Sequence, residues 1–443
     1  MGLLFTGLGS AFLSYLHSCS DGTEYQTENA RELSSSASGN ELNILLILVD
    51  QMRFPVGFSP EMRLPNFERL KQISINFTSH FISAVPCSPS RASLFTGLYS
   101  FQHKVFSNVV GRSNQPDLSR ELRTIGNFFQ SFGYQTPYFG RWHLSRRGTN
   151  LNAYGFEQMT RDYRGVAKEW ALDYDPPCVD SACSWLLSRN SRKNWFLTVS
   201  IVNPHDITKF SKIDFPVPRL TDTVPDNWKD QLQGKPSTQK IWSIKCGLNS
   251  LDQFKKYMDY YYYFHLQMDD LLGRILDSLE KSGQFQNTII VFTSDHGDLA
   301  GSHRLFGKVP CVYDEQNRIP LLISHPFFPA REIPALTSNI DLFPTLAGLA
   351  GLNSDLSWQL PGLDLSRIIS GDQQISEDRK ILFFNRWIRY SLKRAANNIN
   401  SLRNQNFIFA HYFNEDFSQN EYEYYDLKSD PFQMNNLASN LLK

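Results

Sequence analysis

Residues Asn43 to Val49 form an uninterrupted apolar run, Asn-Ile-Leu-Leu-Ile-Leu-Val, that stops at Asp50. A strand with one wet face alternates apolar and polar side chains. A run apolar at nearly every position fits a strand covered on both faces, as in a parallel sheet between helices. Similar runs recur at Trp195 to Val202, Thr288 to Thr293 and Ile319 to Ile323, with a shorter one at Gln135 to Phe139. Helical patterns lie between them. The clearest is Met268 to Lys281, with Leu271, Leu272, Ile275 and Leu279 on one face and Gly283 just beyond its end. Strands alternating with helices predict an α/β fold built on a large, mostly parallel sheet flanked by helices.

The chain of 443 residues, 41% of them hydrophobic, is long enough to cover such a sheet on both sides. Its 44 Lys+Arg against 44 Asp+Glu argue against a nucleic-acid partner, which calls for a basic excess. An aromatic share of 14% excludes a disordered chain. No apolar run reaches the roughly 20 residues of a transmembrane helix. Six cysteines do not make a disulfide scaffold. Cys178 and Cys183 are close enough to pair in an exported protein; otherwise they, Cys246 and Cys311 read as buried thiols.

Texture divides the chain in three. Residues 1–40 read as a signal-like segment and a linker, since the apolar stretch Leu3 to Leu16 precedes a Ser-, Thr- and Glu-rich run. Two readings stay open there: export, whether periplasmic, lipid-anchored or secreted, or a plain extension of a cytoplasmic protein. Residues 41–365 form the main body. Residues 366–443, with short aromatic segments such as Phe407 to Tyr412, predict a small antiparallel α+β subdomain. Asn76-Phe77-Thr78 spells a glycosylation sequon, a triplet common by chance and given no weight.

Asp50 and Asp295 each follow an apolar strand, and in open α/β sheets ligands bind outside the carboxyl ends of strands. Two carboxylates meeting there repel unless a cation lies between them. Gln51 and His296, their neighbours, are further candidate ligands. Such an oxygen-rich set with one imidazole suits Ca²⁺, Mg²⁺ or Mn²⁺. The competing account is that each Asp only caps the loop after its strand.

In Ala84-Val-Pro-Cys-Ser-Pro-Ser-Arg-Ala-Ser-Leu-Phe-Thr-Gly97, Ser88 fits an N-cap, Pro89 a first helical position and Gly97 the residue past the end. Cys87 is then expected just before a helix N-terminus, where free N–H groups favour anions, with Arg91 one turn inside. The alternative is a small buried cysteine at a loop-to-helix junction.

Cys87-Ser88-Pro89-Ser90-Arg91, followed by Phe95-Thr96-Gly97, resembles the signature of the type I sulfatases, formylglycine-dependent members of the alkaline-phosphatase-like superfamily. The likeness continues in the same order through Gly140-Arg-Trp-His-Leu144, Asn203-Pro-His205, Ser294-Asp-His-Gly-Asp298 with Gly307-Lys308, Asp341-Leu-Phe-Pro-Thr345 and Tyr425-Asp-Leu-Lys-Ser-Asp-Pro431. The resemblance implies that a formylglycine-generating enzyme oxidises Cys87 to an aldehyde whose hydrate attacks a sulfate ester. It also implies one divalent metal, Ca²⁺ first and Mn²⁺ or Mg²⁺ next, on Asp50, Gln51, Asp295, His296 and residue 87. Arg91 would help to orient the hydrate. Arg141, His143 and Lys308 would hold the sulfuryl oxygens, and His205 or Lys308 would assist the leaving oxygen. Three positions depart from the commoner family pattern: Gln51 replaces an Asp, His296 an Asn and Arg141 a Lys. His103 and Asp298 remain undecided between structure and function.

The implied activity is hydrolysis of a sulfate monoester on a small molecule or glycan, a carbohydrate being expected from the Arg161 to Arg164 loop and the Asn385 to Tyr390 segment. Two rivals stay open: a phosphonate monoester or phosphodiester hydrolase on the same site, and a silent binder of anionic glycans.

Overall fold

A computed structural model describes residues 42–55, 62–110, 114–146, 150–163, 169–189, 193–248, 250–353, 356, 359–386 and 396–441. The expected signal and linker over residues 1–40 lie outside the described residues. Among those described, no helix is long and apolar enough to cross a membrane.

Eight strands form the main sheet: β1 (Asn43–Val49), β2 (Ile75–Phe81), β3 (Pro137–Gly140), β4 (Glu157–Gln158), β5 (Phe196–Ile201), β6 (Thr288–Ser294), β7 (Leu321–Ser324) and β8 (Arg331–Ser338), in the order β4-β3-β5-β1-β6-β7-β2-β8. All run the same way except β7, which is antiparallel to both β6 and β2. The sheet is thus mixed and mostly parallel, and the parallel direction expected for Ile319 to Ile323 is corrected. The apolar run there showed burial but not direction. The segment from β6 to β7 holds only short turns at Ser302–Arg304 and Asp314–Asn317, and without a crossover helix the chain comes back antiparallel.

Burial explains the unbroken apolar pattern of β1. Leu45, Ile47 and Val49 face one core with the helices Pro65–Gln72, Ala171–Leu187 and Leu251–Lys281. Ile44, Leu46 and Leu48 face the other with the helices Cys87–Thr96, Ile125–Ser131 and Leu342–Leu349. Leu271, Leu272, Ile275 and Leu279 all enter the first core. That helix starts at Leu251, well before the expected Met268, on a capping box made by Ser250 and Gln253.

The predicted small sheet is present as β9 (Ile381–Asn385), β10 (Asn398–Arg403), β11 (Phe407–Phe413) and β12 (Asn420–Asp426), all antiparallel. Its inner residues, including Ile399, Ile408, Tyr412 and Tyr425, share a third core with Leu305, Val309 and Tyr313 of the main body. From Leu42 onward the chain forms one compact unit. Cys178, Cys183, Cys246 and Cys311 are free thiols. Asn76 is buried in β2 and donates to Glu332 Oε1 at 3.0 Å, so the sequon lies inside the sheet.

His80 on β2 is buried opposite Thr337 of β8, with Nδ1 2.9 Å from the hydroxyl. Burial first and Arg379 second push its pKa down to about 3. The unfolded chain, with an ordinary histidine pKa of about 6.5, binds the extra proton below that value. Stability is therefore expected to fall as pH drops from about 6.5 toward 3, by up to about 1.4 kcal/mol per pH unit from this group. In urea unfolding across that range, His80→Gln should lower the slope by about one proton. An unchanged slope would mean that His80 is not held neutral.

Candidate active site

Because β1, β2, β3, β5 and β6 are co-directional, their carboxyl ends open on one edge of the sheet. Asp50 and Gln51 leave β1, Arg141 and His143 leave β3, His205 lies beyond β5, and Asp295 and His296 leave β6. Register fixes the first pair. Val49 lies opposite Ser294, and Asp295 N donates to Val49 O at 3.1 Å, so the two aspartates end neighbouring strands at the same height.

The loop after β2 brings in the helix Cys87–Thr96, whose ten residues are all buried. Cys87 is its first residue and Pro86 its cap, which corrects the expected N-cap at Ser88. Ser88 Oγ is used elsewhere: it donates to His143 O at 2.6 Å and accepts from Val109 N at 3.0 Å. Ser90 Oγ donates to Asp295 O and accepts from Asn339 Nδ2. Both hydroxyls strap the helix to the sheet edge. Gly97 ends it at φ 68°, as expected.

Arg91, fully buried, is the hub. Its Nε donates to Asp295 Oδ2 at 2.8 Å, one terminal nitrogen to Asp50 Oδ2 at 3.3 Å, and the other to Arg141 O at 2.7 Å and Ser200 Oγ at 3.0 Å. Arg141 adds a second cation on Asp50 Oδ2 at 2.5 Å and donates to His143 Nδ1 at 2.9 Å. Both carboxylates therefore give one oxygen to guanidinium and turn the other inward. Asp50 Oδ1 lies 3.7 Å from Cys87 Sγ and 3.8 Å from His296 Nε2. Asp295 Oδ1 accepts from Gln51 N at 3.1 Å and lies 3.7 Å from His296 Nε2.

His296 Nδ1 donates to Gly297 O at 2.8 Å, which aims Nε2 at Cys87 Sγ, 3.2 Å away. One ligand atom from each of Asp50, Cys87, Asp295 and His296 lies within 4.8 Å of the others, a spacing that fits a single cation. Gln51, at φ 75°, places Oε1 2.8 Å from Lys308 Nζ, itself 3.1 Å from Cys87 Sγ and 3.2 Å from His296 Nε2.

The electrostatics follow from this arrangement. Burial alone would raise the Asp50 pKa, but Arg141, His205, Arg91 and Lys308 hold it well below the carboxylate range. Burial and Asp50 push the Cys87 thiol up, yet Lys308, His296 and Arg141 outweigh them and its pKa falls below the ordinary value. Low-pKa thiols beside cations at helix starts are the reactive ones. Burial and Lys308 oppose protonation of His296, but Asp295 and Cys87 prevail and raise its pKa. The centre thus draws positive charge to Nε2. His143 and His205 go the other way, depressed well below their usual value, first by burial. Among the described residues no partner reaches His205 Nδ1.

Asp298, undecided from sequence, orders this centre. Its Oδ2 accepts from Gln51 Nε2 at 2.6 Å and Tyr257 OH at 2.9 Å, which fixes the Gln51 amide with its oxygen toward Lys308. Its Oδ1 accepts from Ala300 N and Gly307 N and so shapes the loop that carries Lys308. Nothing local in the sequence marks Tyr257 or Asn339 for their roles. His103 is structural: it bonds Ser93 Oγ and Val105 N, and burial pushes its pKa down to about 3. Of the candidate glycan contacts, Arg161 pairs with Glu169 and lies over the Tyr174 ring. Arg386 donates to the Asn385 and Ile399 carbonyls. Arg164 and residues 387–390 lie outside the described residues.

A family model for sulfatases matches residues 42–352, and one described as N-sulphoglucosamine sulphohydrolase, C-terminal, matches residues 301–441. This chain belongs to the sulfatase family. It is 24% identical to the N-acetylglucosamine-6-O-sulfatase of Bacteroides thetaiotaomicron, over 85% of this chain and 78% of that protein. In fold it is similar to a 2-O GAG sulfatase, with a TM-score of 0.72, 21% identity, and coverage of 91% of this chain and 89% of the other. It is also similar to the phosphonate monoester hydrolase of Agrobacterium radiobacter, with a TM-score of 0.68, 22% identity, and coverage of 90% and 92%. The chain is accordingly a sulfuric ester hydrolase of alkaline-phosphatase-like fold, from a family that works with a metal ion and formylglycine.

Partners behind metal ligands commonly tune affinity by 10- to 100-fold. Asp298→Asn puts an amide where Gln51 Nε2 now donates. It is expected to weaken divalent-cation binding by about 10- to 100-fold in calorimetric titration. Unchanged affinity would show that the Gln51 orientation does not matter to the ion.

Proposed function

We propose that this centre hydrolyses a sulfate monoester, using formylglycine formed at residue 87 by a formylglycine-generating enzyme and one divalent cation held by Asp50, Gln51, Asp295 and His296. The observation that carries the reading is the convergence on one buried side chain, Cys87, of two inward carboxylate oxygens, an imidazole Nε2 and a lysine. The donor set agrees with the modification. With sulfur at position 87 the ligands are of mixed softness; with an aldehyde-derived oxygen they become oxygens and one nitrogen, a set suited to Ca²⁺, Mg²⁺ or Mn²⁺. Calcium is the first choice. Gln51, in place of a carboxylate, lowers the negative charge and keeps Mn²⁺ in contention.

Once formed, the hydrated formylglycine would supply a nucleophilic hydroxyl toward sulfur and a second hydroxyl through which sulfate could leave as the aldehyde re-forms, and the cation would supply Lewis acidity. The chain's own residues do the rest. Arg91 holds Asp50 and Asp295 apart and in register. Arg141 is committed to Asp50 and His143, so it contributes positive field and orients both. Lys308, half-buried and in contact with Cys87 Sγ, reaches both the nucleophile and the open side. Since His205 is held neutral, Lys308 is the better proton donor to the leaving oxygen.

A phosphonate monoester or phosphodiester hydrolase is the second reading, favoured by Gln51 and His296 at the metal and by the fold likeness to such an enzyme. Turnover of one aryl group as sulfate and as phosphodiester separates the two. We expect the sulfate to be preferred, Cys87→Ala to abolish release, and Lys308→Ala to lower kcat by about 10²- to 10³-fold. Preference for the phosphodiester would move the second reading to the front.

A further inference from the structure

A cavity of about 440 Å³ opens directly beside residue 87. Its lining includes Pro86, immediately before the nucleophile, and Lys308, whose Nζ is 3.1 Å from Cys87 Sγ. Lys308 thus both touches the nucleophile and faces this space, which gives the alcohol part of an ester bound at residue 87 a direction in which to extend. The floor is Tyr257 and Phe306, both buried, and the walls carry the half-buried rings of Phe106, Phe210 and Trp242. The polar side chains in the wall, such as Asn108 and Thr208, are uncharged. Among the described residues lining it, Lys308 alone is charged. Tyr257 spends its hydroxyl on Asp298 and so presents ring rather than donor.

Resting on the sulfatase reading above, we propose that this cavity is the leaving-group pocket and that it selects an uncharged, ring-bearing apolar alcohol over a multiply sulfated sugar. Two physical arguments support it. Aromatic rings on several sides gain most from burying an apolar ring, and the volume suits a group of one to a few rings. Among the described lining residues a second sulfate in the same space would lose its water and find no cation other than Lys308, which is already engaged at the reacting end. Among the described residues of the two candidate glycan-contact segments, Arg161 is bound to Glu169 and Arg386 to backbone carbonyls. Trp242, on the helix Ser237–Cys246, and Phe210, on the turn His205–Lys212, come from separate segments, so each tests the same wall independently.

The test compares kcat/KM of the converted, metal-loaded full-length enzyme on 4-methylumbelliferyl sulfate and on a disulfated glucosamine. It also measures binding of free 4-methylumbelliferone by fluorescence. The aryl ester should be preferred by about 100-fold, and Trp242→Ala or Phe210→Ser should cut that ratio by about tenfold, mainly through KM. Trp242→Phe should restore most of the loss. Ile244→Ala, on the same helix at 79% exposure, should leave the ratio and the binding unchanged. Preference for the disulfated sugar, or an unaltered ratio in both wall variants, would overturn the proposal. If neither ester releases sulfate but the free alcohol still binds and the wall variants weaken it, the pocket stands and the hydrolase reading fails. If sulfate is released but the alcohol does not bind, the pocket assignment fails and the hydrolase reading stands.

Discussion

Arg91 between Asp50 and Asp295 is the contact on which the site depends. Two buried carboxylates at the ends of adjacent strands would repel by several kcal/mol in a medium this poor in water. One guanidinium with donors on two edges bridges both, with Arg141 adding a second positive charge on Asp50, and through Arg141 O and Ser200 Oγ it ties them to the ends of β3 and β5. The fork matters as much as the charge, because a lysine could not hold four acceptors in a fixed plane. Removing it would leave uncompensated buried charge, a loss of roughly 3–5 kcal/mol in comparable pairs.

The consequence is a division of labour within each carboxylate. The outer oxygen is saturated by arginine, and the inner oxygen remains available toward residue 87. The same division recurs one step out, where Asp298 takes the Gln51 amide nitrogen and leaves its oxygen turned toward Lys308. Positive groups thus surround a small negative centre without filling it, as a site for an exchangeable cation requires. The helix that begins at Cys87 adds its N-terminal field to the same point.

Much of this was legible in the sequence because it depends on burial and order along the chain. The fully apolar run of β1 declared a strand covered on both faces, and Asp50 at its end declared a polar strand terminus. Strands β2 and β8 were not legible: Asn76, Thr78, Ser79 and His80 break the apolar pattern, and Asn76 and His80 find their partners in Glu332 and Thr337 of β8. Direction was also hidden, as β7 shows, because periodicity reports faces and not sense. At the site, the resemblance brought Arg91 into view through the Cys87 segment, Arg141 through Gly140 to Leu144 and Lys308 through Gly307-Lys308. It could not show that Arg141 would be spent on Asp50, or that Asp298 would set the Gln51 amide. Those facts depend on contacts between residues more than 90 positions apart in the chain.

The central claim is that residue 87 is an aldehyde-bearing nucleophile at a cation centre. The measurement that tests it most directly is the mass of the tryptic peptide containing position 87, from full-length protein produced together with a formylglycine-generating enzyme. A mass corresponding to an aldehyde in place of the thiol is the predicted result. A peptide that keeps its thiol under those conditions, while the protein is folded, would contradict the account and leave Cys87 as a buried cysteine beside an anion-binding centre.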